Sequence, residues 1–145
     1  MTRFRSVALG LVAALFCFQN SALAENASSG GEISLQLNKA VSQGQSCRVS
    51  LVMQNGLSQT IEQLGVDLVI FDRSGGVFDF LTVKAGRLPA GKTRVRQYDL
   101  SGQDCTNISS LLVNDVRSCD GDGLNQNICL DALTTSSLAN IDLTL

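Results

Sequence analysis

Apolar and polar residues alternate in short runs along most of this chain, and Gly, Asn, Asp and Ser clusters separate the runs. Ile33-Ser34-Leu35-Gln36-Leu37 alternates cleanly, which predicts a strand with one buried face. Cys47 to Gln54 does the same, with Val49, Leu51 and Met53 on one face and Arg48, Ser50 and Gln54 on the other. Gly65 to Phe71 is apolar in both phases, the pattern of a central strand covered on both sides. Asp72-Arg73-Ser74-Gly75-Gly76 then marks a turn into Val77 to Val83, and the pair predicts a hairpin. Leu88-Pro89-Ala90-Gly91 is a second turn, placed before a strand from Thr93 to Leu100. In that strand Tyr98 and Leu100 fall in the opposite phase from Val95, together with Arg94 and Arg96. One extra residue near Arg96-Gln97 would bring the apolar residues to one side, so the pattern predicts a β-bulge there. Leu111-Leu112-Val113 predicts a further buried segment, entered through a helical turn capped by Thr106 or Asn107. Ile141 to Leu145 predicts a terminal strand. No helix-period stretch of useful length competes. About seven short strands at regular spacing indicate an all-β fold, an immunoglobulin-like antiparallel β-sandwich over residues 32–145.

The N-terminal stretch departs from this pattern. Arg3 and Arg5 precede an apolar run from Val7 to Phe18, and Ala22-Leu23-Ala24 forms a small-x-small cleavage site. Residues 1–24 thus read as a Sec-type signal peptide cleaved after Ala24, which predicts a periplasmic or secreted protein. The run is shorter than the about 20 residues of a membrane span, and no later stretch exceeds it, so no transmembrane segment is expected. Phe4 separates the two arginines, unlike a twin-arginine signal. Phe16 stands where a lipoprotein needs a small residue before its cysteine, so Cys17 leaves with the signal. Residues 25–31 have linker composition. The mature chain, roughly 120 residues, is long enough for one core and short for two.

Val66-Asp67-Leu68-Val69-Ile70-Phe71-Asp72, then Gly75-Gly76, then Leu88-Pro89-Ala90-Gly91, resembles the FxLYD-type immunoglobulin-like domain of bacterial envelope proteins. Ile70-Phe71-Asp72 stands in place of that family's Leu-Tyr-Asp, and the proline comes earlier in its turn. The resemblance covers Leu51 to Leu100 and implies the same sandwich. Val113-Asn114-Asp115-Val116 before Cys119, and Cys129-Leu130-Asp131-Ala132-Leu133 after it, resemble small exported proteobacterial proteins of unassigned function.

Cleavage of the signal leaves four cysteines, Cys47, Cys105, Cys119 and Cys129. An even count in an exported domain favours disulfides, and four cysteines permit three pairings. In an immunoglobulin-like sandwich the Cys47 strand and the Thr93 to Leu100 strand are antiparallel neighbours, which brings Cys47 to Cys105. Cys119 and Cys129 then close the glycine-rich loop between them. No Cys-x-x-Cys spacing is present for thiol redox chemistry, and no paired close spacings for a four-thiolate metal site.

Composition removes several chemistries. The chain has a formal net charge of -2 and no histidine, so Ser-His and Cys-His nucleophiles are excluded. The acidic balance, the absence of tryptophan and a single tyrosine offer nothing for nucleic-acid binding. Asp120-Gly121-Asp122-Gly123-Leu124-Asn125 has the look of a cation loop, but an EF-hand alignment fails at the turn glycine and at one ligand. Asp120 and Asp122 are the carboxylates a small enzyme could use, yet an exposed glycine turn does not set two carboxylates in unlike environments. No catalytic set, metal or cofactor is therefore expected. Lys84, Arg87, Lys92, Arg94 and Arg96 form a positive run without an acid among them. It predicts either a basic patch for an envelope protein or an anionic envelope component, or charges that guard an exposed edge. The expected function is a non-enzymatic binding or interaction module.

Overall fold

The computed structural model describes residues 31–145. The stretch read as a signal peptide and all of the expected linker except Gly31 lie outside the described residues. Eight strands form: β1 (Ile33–Gln43), β2 (Ser46–Asn55), β3 (Ile61–Asp72), β4 (Val77–Leu88), β5 (Thr93–Ser101), β6 (Ile108–Asp120), β7 (Leu133–Ser137) and β8 (Asp142–Thr144). A 3-10 turn, Cys105–Asn107, precedes β6, and a short helix α1, Gln126–Asp131, follows it.

The strands make a sandwich of two four-stranded sheets, ordered β5-β2-β1-β7 and β4-β3-β6-β8. The placement of β5 beside β2 beside β1, facing β3 beside β6, is the immunoglobulin-like arrangement. The two outermost strands differ from the expected antiparallel order. β7 runs parallel to β1 and β8 parallel to β6. Parallel neighbours need a crossover rather than a hairpin. Here both are reached from the opposite sheet: the segment carrying α1 takes the chain from β6 across to β7 beside β1, and residues 138–141 return it to β8 beside β6.

Alternation places the core as the sequence reading expects. Leu35, Leu37, Leu51 and Met53 from the first sheet meet Leu64, Leu68, Ile70, Val83 and Leu111 from the second, all at most 2% exposed. The β3–β4 turn follows from Asp72, whose Oδ1 accepts the N–H of Ser74 at 2.8 Å and that of Gly76 at 3.0 Å. Gly75 supplies the positive φ (83°) this turn requires.

Two local expectations are corrected. The 3-10 turn is capped by Asp104, which accepts from Thr106 N, and not by Thr106 or Asn107. β5 carries no bulge at Arg96-Gln97. It pairs with β2 without interruption from Gln54↔Thr93 to Ser46↔Ser101. The reason lies in what faces β5 across the sandwich.

Candidate functional site

β5 and β4 are the edge strands on one side of the sandwich. Arg94, Arg96 and Tyr98 share a phase and reach from β5 to the backbone of β4. Arg94 Nη2 donates to the Arg87 carbonyl at 2.9 Å, and Arg96 Nε to the Lys84 carbonyl at 3.3 Å. Tyr98 Oη accepts the Lys84 N–H at 2.9 Å. Val95, in the other phase, points outward and is 55% exposed. The arginines keep the inward phase because the open rim offers them carbonyls, so no extra residue is needed.

This changes the meaning of the basic run. Arg94 and Arg96 are held by β4 carbonyls, and Arg87 pairs with Glu62 at 2.8 Å. Of the five expected patch residues, Lys84 and Lys92 are the two exposed cations without an ion pair or side-chain hydrogen bond among the described residues. The arginines cover the Lys84–Arg87 half of an edge strand, which hides backbone groups that would otherwise template another chain.

The structure pairs Cys47 with Cys105 and Cys119 with Cys129. The second bridge joins the end of β6 to α1, a helix the strand pattern did not predict. Within the Asp120–Asn125 turn, Asn125 Oδ1 accepts the Ile128 N–H at 3.0 Å and so caps α1. That oxygen, a candidate cation ligand in the sequence, is used by the helix. Asp120 and Asp122 are exposed. Among the described residues no group of three or more His, Cys, Asp or Glu side chains is placed to hold a metal ion.

The feature the sequence reading missed lies on the outer face of the second sheet. Val69 pairs with Phe80 on one side and Leu112 on the other, while Phe71 pairs with Val77 and Ser110. Leu68 and Ile70 point into the core, so Val69 and Phe71 must point away from it. Phe80 is 70% exposed and Val77 is 55% exposed. Beside them, Asp67 accepts from Arg117 Nε at 2.9 Å and from Thr82 Oγ1 at 2.7 Å. The Arg117 hydrogen bond holds the Asp67 carboxyl below the usual carboxylate range. A hollow of about 260 Å³ lies between this ion pair and Phe80. The two-phase apolar run of β3 was the signal. It denotes a strand with both faces covered, and Val69 is indeed buried on the outer face, at 5% exposed, while Phe80 and Val77 of β4 beside it stay open.

The N-terminal half of β4 borders the same face. Its sole side-chain hydrogen bond to the backbone of residues 77–83, among the described residues, is local, from the Phe80 N–H to Asp79 Oδ1 at 2.7 Å. Nothing from β5 reaches it as Arg94, Arg96 and Tyr98 reach the other half.

The fold is similar to that of IrmA from Escherichia coli, with a TM-score of 0.57 at 13% identity. The match covers 72% of this chain and 90% of that one. At that identity the likeness concerns the fold. No protein-family model matches the chain, and no curated protein matches it.

Proposed function

We propose that this chain is an exported, non-enzymatic binding module that takes an extended segment of a bacterial envelope protein beside β4. The observation that carries the reading is the contrast between the two halves of that strand. The Lys84–Arg87 half is closed by Arg94, Arg96 and Tyr98. The Val77–Thr82 half has no such clasp, and it carries the exposed apolar side chains of Phe80 and Val77. An added strand gains main-chain hydrogen bonds along such an edge, and alternate side chains find the neighbouring face. Here Phe80 and Val77 would receive them. Two disulfides fit an oxidising compartment, and no helix among the described residues is long and apolar enough to cross a membrane.

The test is capture from an envelope extract with wild type, Phe80→Lys and Val95→Lys, followed by displacement with peptides from the captured protein. Val95 has the same exposed apolar character on the other sheet. Capture by wild type and Val95→Lys, lost in Phe80→Lys and displaced by one extended peptide, supports the reading. Identical capture by all three, or none by any, overturns it.

A further inference from the structure

A second cavity, of about 420 Å³, shares no lining residue with the hollow beside Phe80. It is within the usual size of small-molecule sites. Its walls come from segments far apart in sequence: β1, the β3–β4 turn, the 3-10 turn and the β7–β8 connection. Two cations, Lys39 and Arg73, line it, and no carboxylate does. Neither cation belongs to an ion pair among the described residues. Arg73 Nε donates to the Thr106 carbonyl. That bond fixes the guanidinium plane and leaves the Nη1/Nη2 edge for a bidentate acceptor.

Lys39 reaches the cavity through a local irregularity. The pairing of β1 with β2 shifts between Leu37 and Lys39, so Asn38 is an extra residue and the phase changes after it. Asp104, beside the lining residue Cys105, does not line the cavity, and hydrogen bonds to Thr106 and to the Ser42 hydroxyl engage its carboxylate. Its carboxylate accepts from Thr106 N at 2.9 Å and Thr106 Oγ1 at 2.7 Å. The rest of the wall is mixed: Ala40, Leu138, Ala139 and Ile141 are apolar, and Asn38, Ser42, Thr106 and Asn140 are polar. The Cys47–Cys105 disulfide and the Cys105 N–H bond to Ser42 Oγ at 3.3 Å tie the 3-10 turn to the first sheet.

We propose that this cavity binds a small organic carboxylate, held by Arg73 and Lys39, with its apolar portion against Leu138, Ala139 and Ile141. A planar carboxylate matches the free edge of the guanidinium, and the apolar part of the wall favours a ligand with a short hydrocarbon part. Two sources share this chemistry, the free C-terminus of a peptide and a short fatty acid. The experiment titrates the oxidised, isotopically labelled protein with N-acetyl-leucine, hexanoate, N-acetyl-leucinamide and inorganic phosphate, and follows backbone amide shifts. Saturable shifts confined to residues 39–42, 73, 105–106 and 138–141 are expected with one or both carboxylates, and the tighter one identifies the source. Arg73→Gln and Lys39→Gln should each weaken binding at least about ten-fold, while Lys92→Gln leaves it unchanged. The proposal is overturned by an absence of saturation, by equal binding of the amide or by phosphate binding as tightly as the carboxylates. Unaltered affinity in a folded Arg73→Gln variant overturns it too.

Discussion

Asn55 is completely buried, and every polar atom it carries is used. Its Nδ2 donates to the Gln59 carbonyl at 2.9 Å and the Leu88 carbonyl at 2.8 Å, and its Oδ1 accepts the Leu57 N–H at 3.0 Å. Its own backbone bonds Lys92 and Gly91. One side chain thus joins the end of β2 to both neighbouring loops. Asn55→Ala should cost about 2–4 kcal/mol in urea unfolding, because it leaves buried backbone groups unpaired. Asn55→Asp should not rescue it, since a carboxylate would face two carbonyl oxygens. Nothing in the alternation marks Asn55 out from a turn residue, because two of its side-chain partners are local and the third, the Leu88 carbonyl, is 33 residues away. Arg94 shows the same limit from the other side. Its position in a basic run suggested a docking charge, whereas its bond to Arg87 makes it a clasp on β4. Arg94→Ala should lower stability by about 1–2 kcal/mol, while Lys84→Gln and Lys92→Gln leave it unchanged in the same assay.

Strands were legible where one face is buried and the other wet, as in Leu35 and Leu37 of β1 or Val49, Leu51 and Met53 of β2. There the period-two pattern is set by the core itself. It failed at the rim of β5, where arginines occupy inward positions without entering the core. It also failed for α1, a six-residue helix too short for a helical period to emerge. Its N-cap and disulfide, not its periodicity, define it. β7 was not expected at all, since Leu133-Thr134-Thr135-Ser136-Ser137 carries one apolar residue and no alternation. The direction of β8 was beyond reach, because parallel and antiparallel edges present the same pattern. The cysteine pairing followed from strand adjacency: Cys47 lies opposite Leu100, a few residues before Cys105. By chain entropy the Cys47–Cys105 bridge, with a sequence separation of 58, contributes about 4 kcal/mol. The Cys119–Cys129 bridge, with a separation of 10, contributes about 3 kcal/mol. Paired serine substitutions should reproduce that order in denaturant unfolding, and the oxidised mature protein should show no free thiol.

Across the whole molecule, the ionic interactions favour the folded state at neutral pH. The Arg48 hydrogen bond lowers the Asp99 carboxyl, the Arg117 bond lowers Asp67, and the Ser74 hydroxyl lowers Asp72. The Thr106 N–H does the same for Asp104. With folded values below unfolded ones, the unfolded chain binds more protons, so these contributions are complete above the unfolded value of about 4. They are lost as pH falls through the folded values. With no histidine in the chain, the melting temperature should be flat between about pH 5 and 8 and fall steeply in acid. Asp99→Asn should flatten the acid limb; an unchanged slope would remove Asp99 from the account.

The same scale holds the functional claim. The exposure of Phe80 and Val77 beside the buried Val69 depends on the assembled second sheet, in which β4 is an edge strand. Hydrogen exchange of the oxidised protein, alone and with its captured envelope partner, tests that claim most directly. Strand addition predicts slowed exchange at the amides of residues 77–82, with the Lys84–Arg87 half little changed. Protection confined to the β5 or β7 edge, or none in β4 with the partner bound, would contradict it.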